Sequence, residues 1–159
     1  VTITKVIWWG GPYNWVAGDP PVDYFNVYFY SGDQCLPEER IAVYMSTLPT
    51  KIDLGFGVHG FPMFQFELDV NVPVAAFTRY WVSCQADDHI FPPQWGWEEA
   101  ATQVECQAMF VSVYFGYPSW VTAETLWGYP LDHAFALECT CGGSAADETT
   151  WGAVKALFQ

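Results

Sequence analysis

The chain has few basic residues: Lys and Arg number 5 against 18 Asp and Glu, so the net charge is −13 over 159 residues. Nucleic acids and anionic lipid surfaces attract proteins through basic patches, which this composition does not supply. Long apolar runs are also missing, because the longest candidates, Val1–Trp9 and Ala108–Phe115, fall well short of the roughly 18 residues of a membrane helix. We therefore expect no nucleic-acid partner and no membrane insertion.

Motifs for catalysis and for cofactor binding are lacking as well. No CxxC pair, HExxH motif or GxSxG elbow occurs, and no glycine-rich phosphate loop precedes a helix. The three histidines, His59, His89 and His133, lack metal-ligand spacing, so we interpret them as ordinary turn or edge positions. We expect a protein that is not an enzyme and that needs no cofactor.

Adjacent carboxylates flank the proline-rich segment before Gln94–Trp97, at Asp87-Asp88 and at Glu98-Glu99. Acidic pairs of this kind are typical of a solvated loop. A weak calcium site near Asp87 and Asp88 is the alternative, since Ca²⁺ prefers oxygen ligands, although no EF-hand spacing is present. A glycosidase acid and base pair is the third interpretation, and it requires a spacing that sequence does not reveal.

The cysteines are scattered rather than paired: Cys35, Cys84, Cys106, Cys139 and Cys141. In an acidic, lysine-poor and aromatic-rich chain they favour a secreted, extracellular protein with disulfides. Two bridges leave one thiol over, either buried or bonded to a neighbouring chain, and the pairing stays open. Because the chain begins at Val1, we interpret it as mature after signal-peptide removal, with a trimmed chain as the alternative.

Short runs of Val, Phe, Tyr and Trp between Gly and Pro turns predict an all-β protein, a jelly-roll-like antiparallel β-sandwich. In Phe64–Val70 apolar and polar residues alternate strictly, which indicates one face in the core and one in water. Thr78–Ala86 and Asp132–Cys141 repeat this pattern. Further strands are predicted at Thr2–Trp9, Phe25–Tyr30, Ile41–Met45 and Val104–Phe115, the last of them buried on both faces.

The end of the chain changes in character. We predict a sandwich domain over residues 1–141, a polar linker over 142–150 and a C-terminal docking tail over 151–159, helical or extended. Trp151, Val154 and Phe158 follow helical spacing, and Leu157 adds to the apolar content. So short a helix is not stable alone in water. We therefore expect the tail to dock on its own domain or on another subunit.

Several landmarks occur in a fixed order: Trp8-Trp9-Gly10-Gly11, Phe25–Tyr30, Tyr80–Ser83, Gln94–Trp97 and Asp132–Leu137. Together they resemble an uncharacterised family of bacterial extracellular β-sandwich domains, over Val1 to Cys141. The resemblance implies a secreted or surface-displayed domain and carries over no catalytic residues. The tail Thr150–Gln159 is similar to short C-terminal endings of some secreted bacterial proteins.

Aromatic residues are in surplus, at 19% of the chain. Six of them lie near Gly or Pro turns, where a sandwich core has least need of them: Tyr13, Trp15, Trp95, Trp97, Trp120 and Trp127. They cover the open ends of the sandwich, fill a protein interface or stack on sugar faces, and these three interpretations stay open.

The leading hypothesis is a non-enzymatic secreted structural protein. In this hypothesis the chain is a self-assembling subunit of an extracellular filament or surface layer. The copies form a homo-oligomer or polymer through head-to-tail contacts. The alternative is a carbohydrate-binding module that uses exposed Trp and Tyr rings, with a glycan as partner. A glycoside hydrolase on a jelly roll is a third hypothesis.

Overall fold

The computed structural model describes residues 1–13, 24–87, 94–102 and 105–140. Its strands in chain order are β1 (Thr2–Tyr13), β2 (Phe25–Ser31), β3 (Arg40–Thr47), β4 (Thr50–Val58), β5 (Phe61–Pro73), β6 (Tyr80–Ala86), β7 (Gln94–Trp97), β8 (Met109–Ser112), β9 (Tyr117–Thr122) and β10 (Phe135–Thr140). One short helix, α1 (Ala123–Trp127), separates β9 from β10. The prediction of an all-β chain is confirmed.

Two antiparallel sheets pack against each other. The larger has the order β10-β1-β5-β4, with β7 as its fifth strand, and the smaller has the order β3-β2-β6. Because β1 is 12 residues long, one of its edges pairs first with β10, from Thr2 to Trp8, and then with β7, from Gly10 to Tyr13. The predicted antiparallel sandwich is confirmed.

The core lies between the sheets and is aromatic at its centre. Trp8 of β1, Phe25 of β2 and Phe66 of β5 are fully buried. Their ring centroids lie 4.9 to 5.6 Å apart. Burying side chains of this size contributes about 1.5–3 kcal/mol each. The cross-sheet cluster of rings therefore holds the two sheets together.

The alternation read from the sequence assigns the faces of β5 and β6 correctly. In β5, Phe64, Phe66 and Val70 are buried while Asp69 is exposed. In β6, Cys84 is buried in the core, and its neighbours on the same face pack against that core. These predictions succeed because a side-chain period of two depends only on local backbone geometry.

The third alternating run, in β10, is only partly as expected. Leu137 is buried and Cys139 packs against the core. Phe135, however, is 42% exposed, while its neighbour Ala136 is buried. The Phe135 ring lies 6.5 Å from Trp97, outside the sandwich core. Cys141 lies outside the described residues.

The prediction of a strand over Val104–Phe115, buried on both faces, is wrong. Of the described residues in this run only Met109–Ser112 forms a strand, and the chain then reverses through a turn into β9. Gly116 allows this turn with a left-handed φ of 83°. Val113 and Tyr114 are 79% and 78% exposed. Among the described residues β8 pairs with β9 alone, so no second sheet covers this apolar run.

The β8–β9 hairpin and α1 sit beside the smaller sheet. The Cys35–Cys106 disulfide ties the approach to β8 to the loop after β2. Trp120 of β9 lies edge-on against Tyr30 of β2, at 5.6 Å between centroids. This hairpin therefore covers part of the outward face of β2, the face that points away from the core.

Candidate functional site

The Gly10-Gly11 pair brings β7 close to β1. A side chain at Gly10 would collide with the backbone oxygen of Gly96 and with the Trp95 indole. A side chain at Gly11 would collide with the backbone oxygen of Pro62, on the other edge of β1. Two glycines therefore let β1 lie between β7 and β5 at this point. This close approach places the aromatic residues of β7 at the end of the sandwich.

Trp95 of β7 is partly buried and packs against the core rather than forming an exposed platform. Its ring centroid lies 5.2 Å from Phe25 and 6.1 Å from Phe66. Its Nε1 is buried without a hydrogen-bond partner among the described residues. Of the three interpretations offered for the surplus aromatics, the structure gives Trp95 the packing role at the end of the sandwich.

Trp97 is held rigidly by residues that follow α1. Its Nε1 donates a hydrogen bond to the backbone oxygen of Ala134 at 2.9 Å. Its ring stacks on the His133 imidazole, with centroids 4.7 Å apart and planes 8° from parallel. Burial lowers the pKa of His133 to about 4, while the backbone of Glu98 opposes this shift. His133 is therefore neutral at physiological pH. It lies in an isolated bridge outside the named strands, and its burial goes beyond what the sequence indicated.

A small open cavity of about 320 Å³ lies beside Trp97. It is lined by Val58, His59, Trp97, Glu98, Glu99 and Tyr129. The Tyr129 hydroxyl donates to Glu99 Oε1 at 2.8 Å, and this hydrogen bond raises the pKa of Tyr129. Aromatic walls combined with carboxylates suit the apolar faces and hydroxyl groups of a sugar. Sequence reasoning identified Trp97 but not Tyr129, because only the fold brings these two together.

The candidate calcium position is only partly described. Asp87 Oδ2 accepts a hydrogen bond from Ser46 Oγ at 2.8 Å, while Asp88 and His89 lie outside the described residues. Within the described part of the chain no group of three or more acidic, His or Cys side chains could hold a metal ion. Glu99 is engaged with Tyr129.

The cysteines divide into three situations. Cys35 and Cys106 form a disulfide. Cys84 carries a free buried thiol, and burial raises its pKa well above its ordinary value. A thiol is reactive as its thiolate, so Cys84 is chemically inert. Cys139 packs against the core from β10, and Cys141 lies outside the described residues.

The remaining candidate aromatics do not converge on the cavity. Trp120 is half-buried against Tyr30, and Trp127 is 47% exposed beside Phe110 of β8. The Tyr13 side chain and Trp15 lie outside the described residues. The tail residues Trp151, Val154, Leu157 and Phe158 also lie outside them.

Two exposed apolar surfaces stand out on the described residues. The first, the β3 stripe, comprises Ile41, Val43 and Met45, which are 39%, 43% and 60% exposed. The second, the hairpin tip, comprises Val113, Tyr114 and Phe115, between β8 and β9. Sequence reasoning missed both as surfaces, because it placed these residues in strands without saying which face stays open.

No helix within the described ranges is long and apolar enough to cross a bilayer. No family model, no curated protein and no solved structure matches this chain. The resemblance to bacterial extracellular β-sandwich domains therefore stays a prediction from the motifs. The candidate sites rest on geometry alone: a cavity beside Trp97, and two apolar surfaces.

Proposed function

We propose that this protein is a non-enzymatic structural subunit that self-assembles outside the cell, in a filament or surface layer with head-to-tail contacts. One observation carries the proposal, the exposure of two separate apolar surfaces, the β3 stripe and the hairpin tip. Contiguous apolar patches on a soluble domain typically mark contacts with a partner. A polymer needs at least two contacts per copy, and two such surfaces supply them.

The Cys35–Cys106 disulfide supports the extracellular part of the proposal. Structural disulfides persist in oxidising compartments and are rare in the cytosol of most organisms. The net charge is strongly negative, so copies of the chain repel each other at long range and unspecific association is disfavoured. Specific assembly then depends on apolar contacts.

Electron microscopy of the purified protein tests the proposal directly. We expect regular fibres or sheets that lengthen with protein concentration and with added salt, since salt screens the repulsion between acidic copies. Dispersed monomers at every concentration and ionic strength would contradict it.

Removal of residues 150–159 is expected to abolish fibres while leaving the sandwich folded. The tail's apolar residues, Trp151, Val154, Leu157 and Phe158, then no longer reach a neighbouring copy. A full-length variant with these four residues replaced by serine is the matched control for chain length, and it should also fail to assemble. If both variants form fibres like the parent, the head-to-tail contact does not use the tail.

A second candidate function is carbohydrate binding, favoured by the cavity beside Trp97. Tyr129→Ala is expected to weaken glycan binding by roughly 1–3 kcal/mol, by analogy with base stacking on aromatic side chains. Trp127→Ala is the matched control, because Trp127 and Tyr129 are each 47% exposed and only Tyr129 lines the cavity. Binding to a broad panel of glycans is measured by calorimetry. If no glycan binds, carbohydrate binding is contradicted.

A further inference from the structure

The outward face of β3 has little negative charge for so acidic a chain. Positions 40–49 contain Arg40 and no acidic residue, whereas the whole chain has a net charge of −13. Two copies therefore meet little electrostatic repulsion where these faces approach each other. The β3 stripe lies on that face, so a region of weak repulsion is also apolar.

Two side chains on the outward face of β3 contact Tyr28 of β2. The Tyr28 hydroxyl of β2 donates to Met45 Sδ at 3.6 Å. The Arg40 guanidinium lies 5.8 Å from the centre of the Tyr28 ring. Contacts of Tyr28 therefore engage Arg40 and Met45, near opposite ends of β3, which lowers the side-chain freedom that these two residues lose when a partner covers the face.

Opposite charges stand at the two ends of the stripe. Arg40 begins β3, and Ser46 near its other end donates a hydrogen bond to Asp87 at 2.8 Å. The order along the face is thus a cation, the apolar residues Ile41, Val43 and Met45, and then an anion. Such a pattern is self-complementary: a two-fold rotation sets the cation of one copy against the anion of another.

We propose that the outward face of β3 is a two-fold interface between two copies of this chain. Around the axis the β3 stripes pack on each other, with Val43 next to Val43 of the second copy. Arg40 then lies near Asp87 of the second copy at both ends of the contact.

The contact is made by side chains and not by added strand pairing. In the pairing of β3 with β2, register shifts occur between Phe25 and Val27 and between Phe29 and Tyr30. Such bulges are a usual protection of edge strands against pairing with another strand. The other open edge of the smaller sheet, β6, has Trp81 and Ser83 half-buried on its outward face. The β3 face is thus the open one.

This interface goes beyond the proposed function, because it assigns the β3 stripe to a two-fold contact and leaves the head-to-tail contact to the hairpin tip and the tail. A two-fold dimer can exist with or without fibres. Cysteine cross-linking tests it on the full-length protein at low concentration. A two-fold axis brings a residue next to itself, whereas a head-to-tail contact does not. We expect Val43→Cys to give covalent dimers on mild oxidation, and Val113→Cys, the matched exposed valine, to give none above the parent protein.

Sedimentation measurements on charge variants give the second readout. Val43→Glu is expected to weaken dimerisation at least about tenfold, while Phe56→Glu, at an exposed position of β4 outside both apolar surfaces, leaves it unchanged. Arg40→Asp should also weaken it, and Arg40→Asp combined with Asp87→Arg should restore it. Circular dichroism checks that each variant is folded.

Three results would overturn the interface: equal cross-linking at both valines, unchanged dimerisation in Val43→Glu, or no rescue by the double charge reversal. Dimers without fibres would support the interface and contradict the proposed assembly. Fibres and dimers that both persist in Val43→Glu would contradict the interface alone.

Discussion

Replacing both Cys35 and Cys106 by serine is expected to lower the free energy of unfolding by about 4 kcal/mol. The disulfide joins positions 71 residues apart. A disulfide that closes so long a loop strongly restricts the unfolded chain. Removing the disulfide returns that conformational entropy to the unfolded state. Urea unfolding followed by tryptophan fluorescence measures the change.

The same bridge keeps the β8–β9 hairpin beside the smaller sheet, where Trp120 lies against Tyr30. Cys84→Ala is the control, because Cys84 is buried and forms no disulfide. The loss of unfolding free energy caused by Cys84→Ala should be smaller, and it should be the same with and without reductant. If the parent protein unfolds at the same urea concentration with and without reductant, the bridge does not stabilise the fold.

Acidification is expected to remove about 3 kcal/mol of stability through His133. The ordinary pKa of 6.5 falls to about 4 in the folded protein because the imidazole is buried. The unfolded chain therefore binds a proton more readily than the folded one between these two values. The stabilising term is fully present above the ordinary pKa and is lost as the pH falls through about 4.

His133→Phe isolates this effect from that of the carboxylates. Phenylalanine keeps a flat ring against Trp97 and removes the buried imidazole Nδ1, which has no hydrogen-bond partner among the described residues. Between neutral pH and a pH near 4, we expect the parent to lose more unfolding free energy than His133→Phe does. The difference should be most of the contribution that His133 makes in the parent. His59→Asn, at an exposed turn, is the control. Equal losses in parent and His133→Phe would show that His133 does not titrate as described.

The strands with strict alternation could be predicted from sequence. In β5 the apolar residues Phe64, Phe66 and Val70 and the polar residue Asp69 identify the two faces without reference to any other strand. β4 was missed, because Lys51, Asp53 and its glycines break the apolar pattern. Its place at the sheet edge depends on pairing with β5.

The candidate cavity depended on contacts between distant residues. Trp97 was identified from a local aromatic surplus. His133, on which it stacks, and Tyr129, which lines the same cavity, lie more than a strand away along the chain. Nothing in the sequence near His133 indicates burial. The stacking on Trp97 accompanies a bridge between Glu99 and His133, and β7 and β10, which lie next to these residues, both pair with β1.

By itself the sequence determined the class of this protein: its charge, its strand periodicity and its lack of catalytic motifs are properties of composition and local order. The tertiary structure decided which apolar residues stay exposed. In β3 both faces are apolar, with Ala42 and Tyr44 on one and Val43 on the other. Only the packing of the sheets buries the first face and leaves the second open, because burial is a property of the neighbours that a residue meets in the fold.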